Sequence, residues 1–217
     1  METQELIEYY PRLYHMADNS SWPGLRGRGL LSTASLVDLF EIPEPKRTQL
    51  LTEHRPQSVP IEHPIYGQAV IRDQKPLQTS KLQRLLTDMD VPDWIRLLNG
   101  YVFFWLHPER LERLLNARAY RDRAHLVLTV STKSLVASYE RQVSLSRINS
   151  GATFVTGMRG SATFQPIANC KHPRSRVVPS KHLVELAIID GVPDILEHTI
   201  EVERRHADRT LETLFER

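Results

Sequence analysis

An internal disulfide is closed to this chain, because its 217 residues include a single cysteine, Cys170. One thiol cannot form an internal bridge, so nothing in the composition points to an oxidising compartment. No apolar run approaches the roughly 20 residues that a bilayer-spanning helix needs. The opening METQELIEYY is acidic and has no apolar signal core. The cytoplasm is therefore the expected location, with no membrane partner. An excess of one charge is missing as well: 28 Lys and Arg face 26 Asp and Glu, a net +2. That balance excludes a histone-like or basic-tail binder and leaves room only for a local basic face.

Several motifs are absent too. No Gly-x-Gly-x-x-Gly follows a strand and there is no P-loop, which disfavours a Rossmann site. The nine histidines are scattered. Without a His-x-x-x-His or Cys-x-x-Cys pair no metal site emerges, and no Gly-x-Ser-x-Gly elbow marks a serine hydrolase.

What is present is a chain of ordinary globular composition, 41% hydrophobic and 25% charged. Its length suits one domain over residues 1–217. Helical spacing and Pro11 predict a short helix over 2–10. A strand over 13–16 ends at His15. Ser20 or Ser21 caps a helix with Pro23 in its first turn, and Gly27 and Gly29 end it. Ser32 or Thr33 caps a helix over 34–40, and another follows over 45–54. Three prolines make 55–64 a surface loop. A short strand over 69–71 precedes helices over 80–86 and 92–98, the second capped by Asp90 and closed by Gly100.

The run Tyr101, Val102, Phe103, Phe104, Trp105, Leu106 is the most strand-like in the chain, and its continuity predicts a central strand buried on both faces. A helix over 109–118, a strand over 125–131, a helix over 134–139 and a strand over 143–145 come next, then a turn at Asn149, Ser150 and Gly151. Residues 151–175 read as a strand and a mobile loop presenting Arg159, Lys171 and Arg174, with Arg176 just beyond. A strand over 181–189, a helix starting at Val192 and Pro193, a strand over 198–203 and an exposed helix over 206–215 complete the chain. Helices come early and strands late. The expected class is α+β, a curved mixed sheet decorated with helices.

Some residues stand out chemically. His15, beside Met16, can hydrogen-bond a hydroxyl, or simply cap local backbone. Ser32 and Thr33 sit where a helix N-terminus would turn free N–H groups towards phosphate or ribose oxygens, or are plain caps. Tyr101, Phe103, Phe104 and Trp105 supply flat apolar surface for stacking, or sheet core. Alternation is read as setting Phe103 and Trp105 on one face and Tyr101, Val102 and Phe104 on the other. Arg110 can clamp a diphosphate or point to water. Glu185, inside LVELAII, is costly unless paired or turned into a wet cleft, or else it faces water from an edge strand. Cys170 has His172 near enough to favour a thiolate, though a loop or strand-end cysteine is the simpler reading.

Taken together, LYHMAD and GLLST, then YVFFWLHPERL, then HLVELAIIDGVPDI resemble the ADP-ribosyltransferase superfamily. The similarity is closest to the branch of the DNA-modifying toxin DarT and the RNA 2′-phosphotransferase KptA, and to a bacterial family of that type. The resemblance rests on Tyr14 and His15, Gly29 and Leu30, the strand 102–106 with Arg110 after it, and Glu185 followed by Val192 and Pro193. The spacing sets Glu109, not Arg110, opposite the family's arginine. The resemblance implies a split, curved sheet, mixed or antiparallel, and an NAD co-substrate without metal. It implies cleavage of the nicotinamide–ribose bond, with transfer to a nucleic acid or protein acceptor or to water. Glu185 and Arg110 would be catalytic. His15, Met16, Ser32, Thr33, Tyr101, Phe104 and Trp105 would bind NAD, and residues 13–40 would form the front half of the pocket. An NAD-dependent 2′-phosphotransferase, or a non-catalytic nucleotide- or partner-binding module of the same fold, is the alternative. The basic loop over 151–176 can guide a nucleic acid, or is equally a solvated loop.

Overall fold

The computed structural model describes residues 1–154, 157–170 and 183–217. Helix α1 (Thr3–Tyr9) leads into strand β1 (Arg12–Asp18), then α2 (Trp22–Arg28), β2 (Leu30–Leu31), α3 (Thr33–Leu39) and α4 (Lys46–Thr52). A hairpin of β3 (Val59–His63) and β4 (Gly67–Ile71) precedes α5 (Thr79–Leu85) and α6 (Val91–Asn99). Next come β5 (Tyr101–Trp105), α7 (Pro108–Leu115), β6 (Ala124–Ser131), α8 (Thr132–Tyr139), β7 (Val143–Ser146) and β8 (Gln165–Pro166). The chain closes with β9 (Glu185–Ile189), β10 (Gly191–Val192), α9 (Ile195–His198), β11 (Thr199–His206) and β12 (Arg209–Glu216).

Among the described residues eight strands form one sheet, in the order β12, β11, β6, β1, β5, β9, β7, β8. Each neighbouring pair is antiparallel. The class is thus α+β, as expected, and of the mixed and antiparallel sheets that were open the antiparallel one is formed. Its seams are unequal. β1 pairs with β6 from Arg12 opposite Ser131 to Asp18 opposite His125, but meets β5 only where Tyr14 faces Trp105. Beyond that pair β1 and β5 part.

Alternating apolar residues drive the layers. Leu13 and Ala17 of β1, Val102 and Phe104 of β5, and Leu186 and Ile188 of β9 share the main core with α1 and α8. On the other face, Met16 of β1 packs with Leu111 and Leu115 of α7, Tyr120 and Val127, and with half-buried Trp105. A separate cluster joins α3 and α4 to the β3–β4 hairpin through Val37, Phe40, Leu50, Ile61 and Ile71.

Several expectations are corrected. Residues 59–63 are strand, not loop: Pro60 lies opposite Val70 in a two-stranded sheet, where a missing N–H on the open edge costs little. Residues 209–216 are strand, not helix. His15 lies in mid-strand rather than at the strand's end. Val192 belongs to β10, and α9 begins only at Ile195. β5 is not buried on both faces: Val102 and Phe104 are buried, while Tyr101, Phe103 and Trp105 are half-buried on the opposite side. Tyr101 therefore shares a face with Phe103 and Trp105.

Early and late segments of the chain also meet in a short ladder. β2 pairs with β10, Leu30 opposite Val192. Gly29 has φ +76°, and a Cβ there would stand 2.1 Å from the Pro193 carbonyl oxygen. Only glycine fits that combination of left-handed backbone and close approach.

Candidate functional site

Where β1 and β5 part, a cavity of about 330 Å³ opens, at the small end of ordinary ligand pockets, roughly 300–1,000 Å³. His15 and Met16 line it from β1, Tyr101, Phe103 and Trp105 from β5, Glu185 from β9, Ser32 and Thr33 from the start of α3, and Ser150 from the turn after β7.

His15 is held in the gap between the strands. Its Nδ1 lies 2.8 Å from the Phe103 carbonyl oxygen, a bond that stands in for the ladder the strands no longer make. A carbonyl can only accept, so Nδ1 carries the hydrogen and Nε2 keeps its lone pair. Burial lowers the imidazole pKa to about 4, with the Arg72 charge adding to the effect against the bond to Phe103. At neutral pH the ring is uncharged, with Nε2 as an acceptor.

Glu185 is a buried carboxylate of the site, 4% exposed. It starts β9, paired with Trp105 on one side and Ser146 on the other. Its Oε2 accepts from the Ser150 amide at 3.1 Å. Burial raises its pKa to about 7, against the Ser150 hydrogen bonds and the charges of Arg110 and Arg159. A carboxylate poised near neutrality inside a cavity is the kind of group that chemistry uses.

The remaining expected residues divide. Ser32 lines the cavity, but its hydroxyl is spent as the α3 N-cap, accepting from the Ser35 amide and donating to the Ser35 hydroxyl, both at 3.1 Å. Phe104 does not line the cavity; it is 0% exposed in the main core. Arg110 does not line it either. The first turn of α7 leaves it half-buried, where its charge still acts on Glu185. Arg159 is no solvated loop cation: it is 2% exposed, donates to the Gly157 and Ala152 carbonyls at 3.2 and 3.0 Å, and lies 6.0 Å from the Trp94 ring centroid. Lys171, His172, Arg174 and Arg176, and the first two residues of the strand expected over 181–189, lie outside the described residues. Cys170 is buried, and burial raises its thiol pKa, the opposite of a nucleophile's setting. Among the described residues no group of His, Cys, Asp and Glu is arranged to hold a metal, and no helix is long and apolar enough to cross a membrane.

The cavity also has a polar part that no expected residue belongs to. Arg28, Arg55, Arg72, Asp73 and Tyr120 also line the cavity. The Tyr120 hydroxyl donates to Asp73 at 2.6 Å. Burial alone would raise the Asp73 pKa, yet the Tyr120 bond, the Lys75 amide and the charges of Arg72 and Lys75 hold it below its usual value. A signal did exist for some of these residues: the charged pair Arg72 and Asp73 directly ends an apolar strand. Tyr120 lies in a connection without periodicity and carried none.

The sequence model of one protein family, described as "Family of unknown function (DUF7002)", matches residues 11–199. No curated protein matches the chain.

Proposed function

The chain belongs to the DUF7002 family, and we propose that it is a cytoplasmic ADP-ribosyltransferase, cleaving the nicotinamide–ribose bond of NAD and passing ADP-ribose to a nucleic acid or protein acceptor. The observation that carries this reading is the convergence of His15, Trp105 and Glu185, from three strands, on one cavity. The residues fit such a ligand: flat half-buried aromatics on one wall, a neutral imidazole acceptor, and a shielded carboxylate, Glu185, whose pKa lies near neutrality.

NAD brings a leaving group bonded to ribose, and departure leaves positive charge on the sugar, as in glycoside cleavage. The ionised Glu185 carboxylate stabilises that charge more strongly in a cavity than it would in water. The Ser150 amide fixes its orientation. His15 Nε2 accepts a hydrogen bond from a ribose hydroxyl, and Trp105 and Tyr101 offer stacking surface. Incubation with NAD should release nicotinamide, and Glu185→Gln should abolish the release. A purified protein that neither binds nor turns over NAD, with or without candidate acceptors, would sink the reading. Binding without turnover, indifferent to Glu185→Gln, would favour a non-catalytic module instead. The 2′-phosphotransferase alternative needs several free cations at the phosphate. Arg28 and Arg55 are committed to backbone carbonyls, which speaks against it; an assay on 2′-phosphorylated RNA decides.

A further inference from the structure

Three arginines line the cavity, and their donors are not equally engaged. Arg28 donates to the Tyr66 carbonyl and, at 3.0 Å, to the Gln68 carbonyl. Arg55, 7% exposed, donates to the carbonyls of Arg72 and Leu50 and to Asn99 Oδ1. Arg72 makes one hydrogen bond among the described residues, from Nη1 to the Met16 carbonyl at 2.6 Å, and it forms no salt bridge with a described carboxylate. Among the described residues no hydrogen bond engages its Nε and Nη2 edge. That edge is the one a guanidinium presents to a phosphate or carboxylate as a two-pronged fork.

The guanidinium is also held in place. It lies 5.4 Å from the Tyr120 ring centroid, and Tyr120 is tied to Asp73. The carbonyl of Arg72 itself is gripped by Arg55. Burial disfavours its charge, with Tyr120 and Asp73 opposing and Arg123 adding to the effect. A half-buried, oriented cation with a free fork on a cavity wall is completed by an anion. Arg72 is also near enough for its charge to act on His15. An anionic group bound there would thus lie beside the group assigned to a ribose hydroxyl, the spacing of a nucleoside and its 5′-phosphates.

We propose that Arg72, delivered by the end of the β3–β4 hairpin, is the anion-binding fork of this cavity and takes the diphosphate of a nucleotide ligand. Arg110 does not supply this contact, since it stands outside the cavity, and at the α3 start the Ser32 hydroxyl is engaged as the cap. The proposal rests on the dinucleotide reading for the identity of its ligand.

The test compares binding of adenosine, ADP and a dinucleoside phosphodiester by calorimetry, in the wild type and in Arg72→Gln and Arg72→Lys, with thermal melts as folding controls. The wild type should prefer ADP to adenosine by about 10- to 100-fold, the size of a charged two-pronged contact. Arg72→Gln should erase the preference, and Arg72→Lys, which keeps charge but not the fork, should retain only part of it. A wild type indifferent to the diphosphate, a folded Arg72→Gln that keeps the preference, or a phosphodiester binding as well as ADP would each overturn the assignment. Should Arg72→Gln not fold, the wild-type series and Arg72→Lys decide. Failure to bind NAD, ADP or adenosine at all fails the dinucleotide reading itself; binding without phosphate preference fails Arg72 alone.

Discussion

Glu185 and Trp105 stand directly opposite one another across the β5–β9 ladder, so a buried carboxylate and a half-buried indole leave the sheet side by side on the same face. Cross-strand partners of this kind are only about 5 Å apart at Cβ, and their relative position is fixed by backbone hydrogen bonds rather than by flexible loops.

The first prediction concerns pH. With Glu185 near 7 and His15 near 4, nicotinamide release should rise as pH passes through 7 and level off above it, while His15 stays neutral throughout. A profile of turnover from pH 5.5 to 9 checks this; a maximum at acid pH would mean that Glu185 works protonated.

Stability should move in the opposite sense. The folded pKa of Glu185 is raised above its ordinary 4.5, so its contribution is fully present below about 4.5 and is lost as pH rises through about 7. Glu185→Gln, which keeps an acceptor for the Ser150 amide, should exceed the wild type in stability at pH 8 by up to roughly 3 kcal/mol. The advantage should vanish near pH 4.5. Urea titrations at the two pH values measure it.

Phe104 and Trp105 are neighbours with separate duties. Phe104→Ala should cost about 3–5 kcal/mol from the void left in the core. Phe104→Leu should fold and keep NAD affinity within about twofold, since it leaves a smaller void than Ala and does not touch the far face of the strand. Trp105→Ala should weaken NAD binding by about tenfold for lost ring contact while melting much closer to the wild type.

Arg159→Ala should do two things at once. Removing a buried guanidinium leaves the Ala152 and Gly157 carbonyls unsatisfied, a loss of roughly 2–4 kcal/mol. It also takes one of two cations away from Glu185, so the rising limb of the activity profile should shift to higher pH. An unmoved profile would show that the Arg159 charge does not reach the carboxylate.

Gly29→Ala is expected to be severe, above roughly 3 kcal/mol, because a positive φ and a clash with Pro193 add together. A thermal melt suffices to measure it.

The central strand, the capped α3 and the odd carboxylate in β9 were legible in the sequence, because each obeys a local rule: aromatic β-formers in a run, a serine before an apolar periodic stretch, a charge where only apolar residues belong. The terminal hairpin was not legible. Leu211, Leu214 and Phe215 fall at helical spacing, and only pairing with β11, bulged between Val202 and Glu203 and between Arg204 and Arg205, turns them into strand. β3 was hidden by prolines that an edge position tolerates. Of the candidate site, His15 and Glu185 could be singled out because they are chemically out of place. Arg110 was favoured for following the aromatic strand, yet the turn into α7 takes it off the cavity wall. Arg72 was invisible because its meaning depends on the two arginines beside it being already engaged.

The single rung joining Tyr14 to Trp105 has a mechanical consequence. Of backbone ladder pairs the β1–β5 line has one, supplemented by one imidazole, so this line is where the sheet bends most cheaply. A ligand bridging β1 and β5 would act as the missing rungs. Filling the cavity and stiffening the sheet become one event, and amide exchange at Met16 and Phe103, whose carbonyls turn into the gap, should slow on binding more than at Leu13 or Val130 of the β1–β6 ladder.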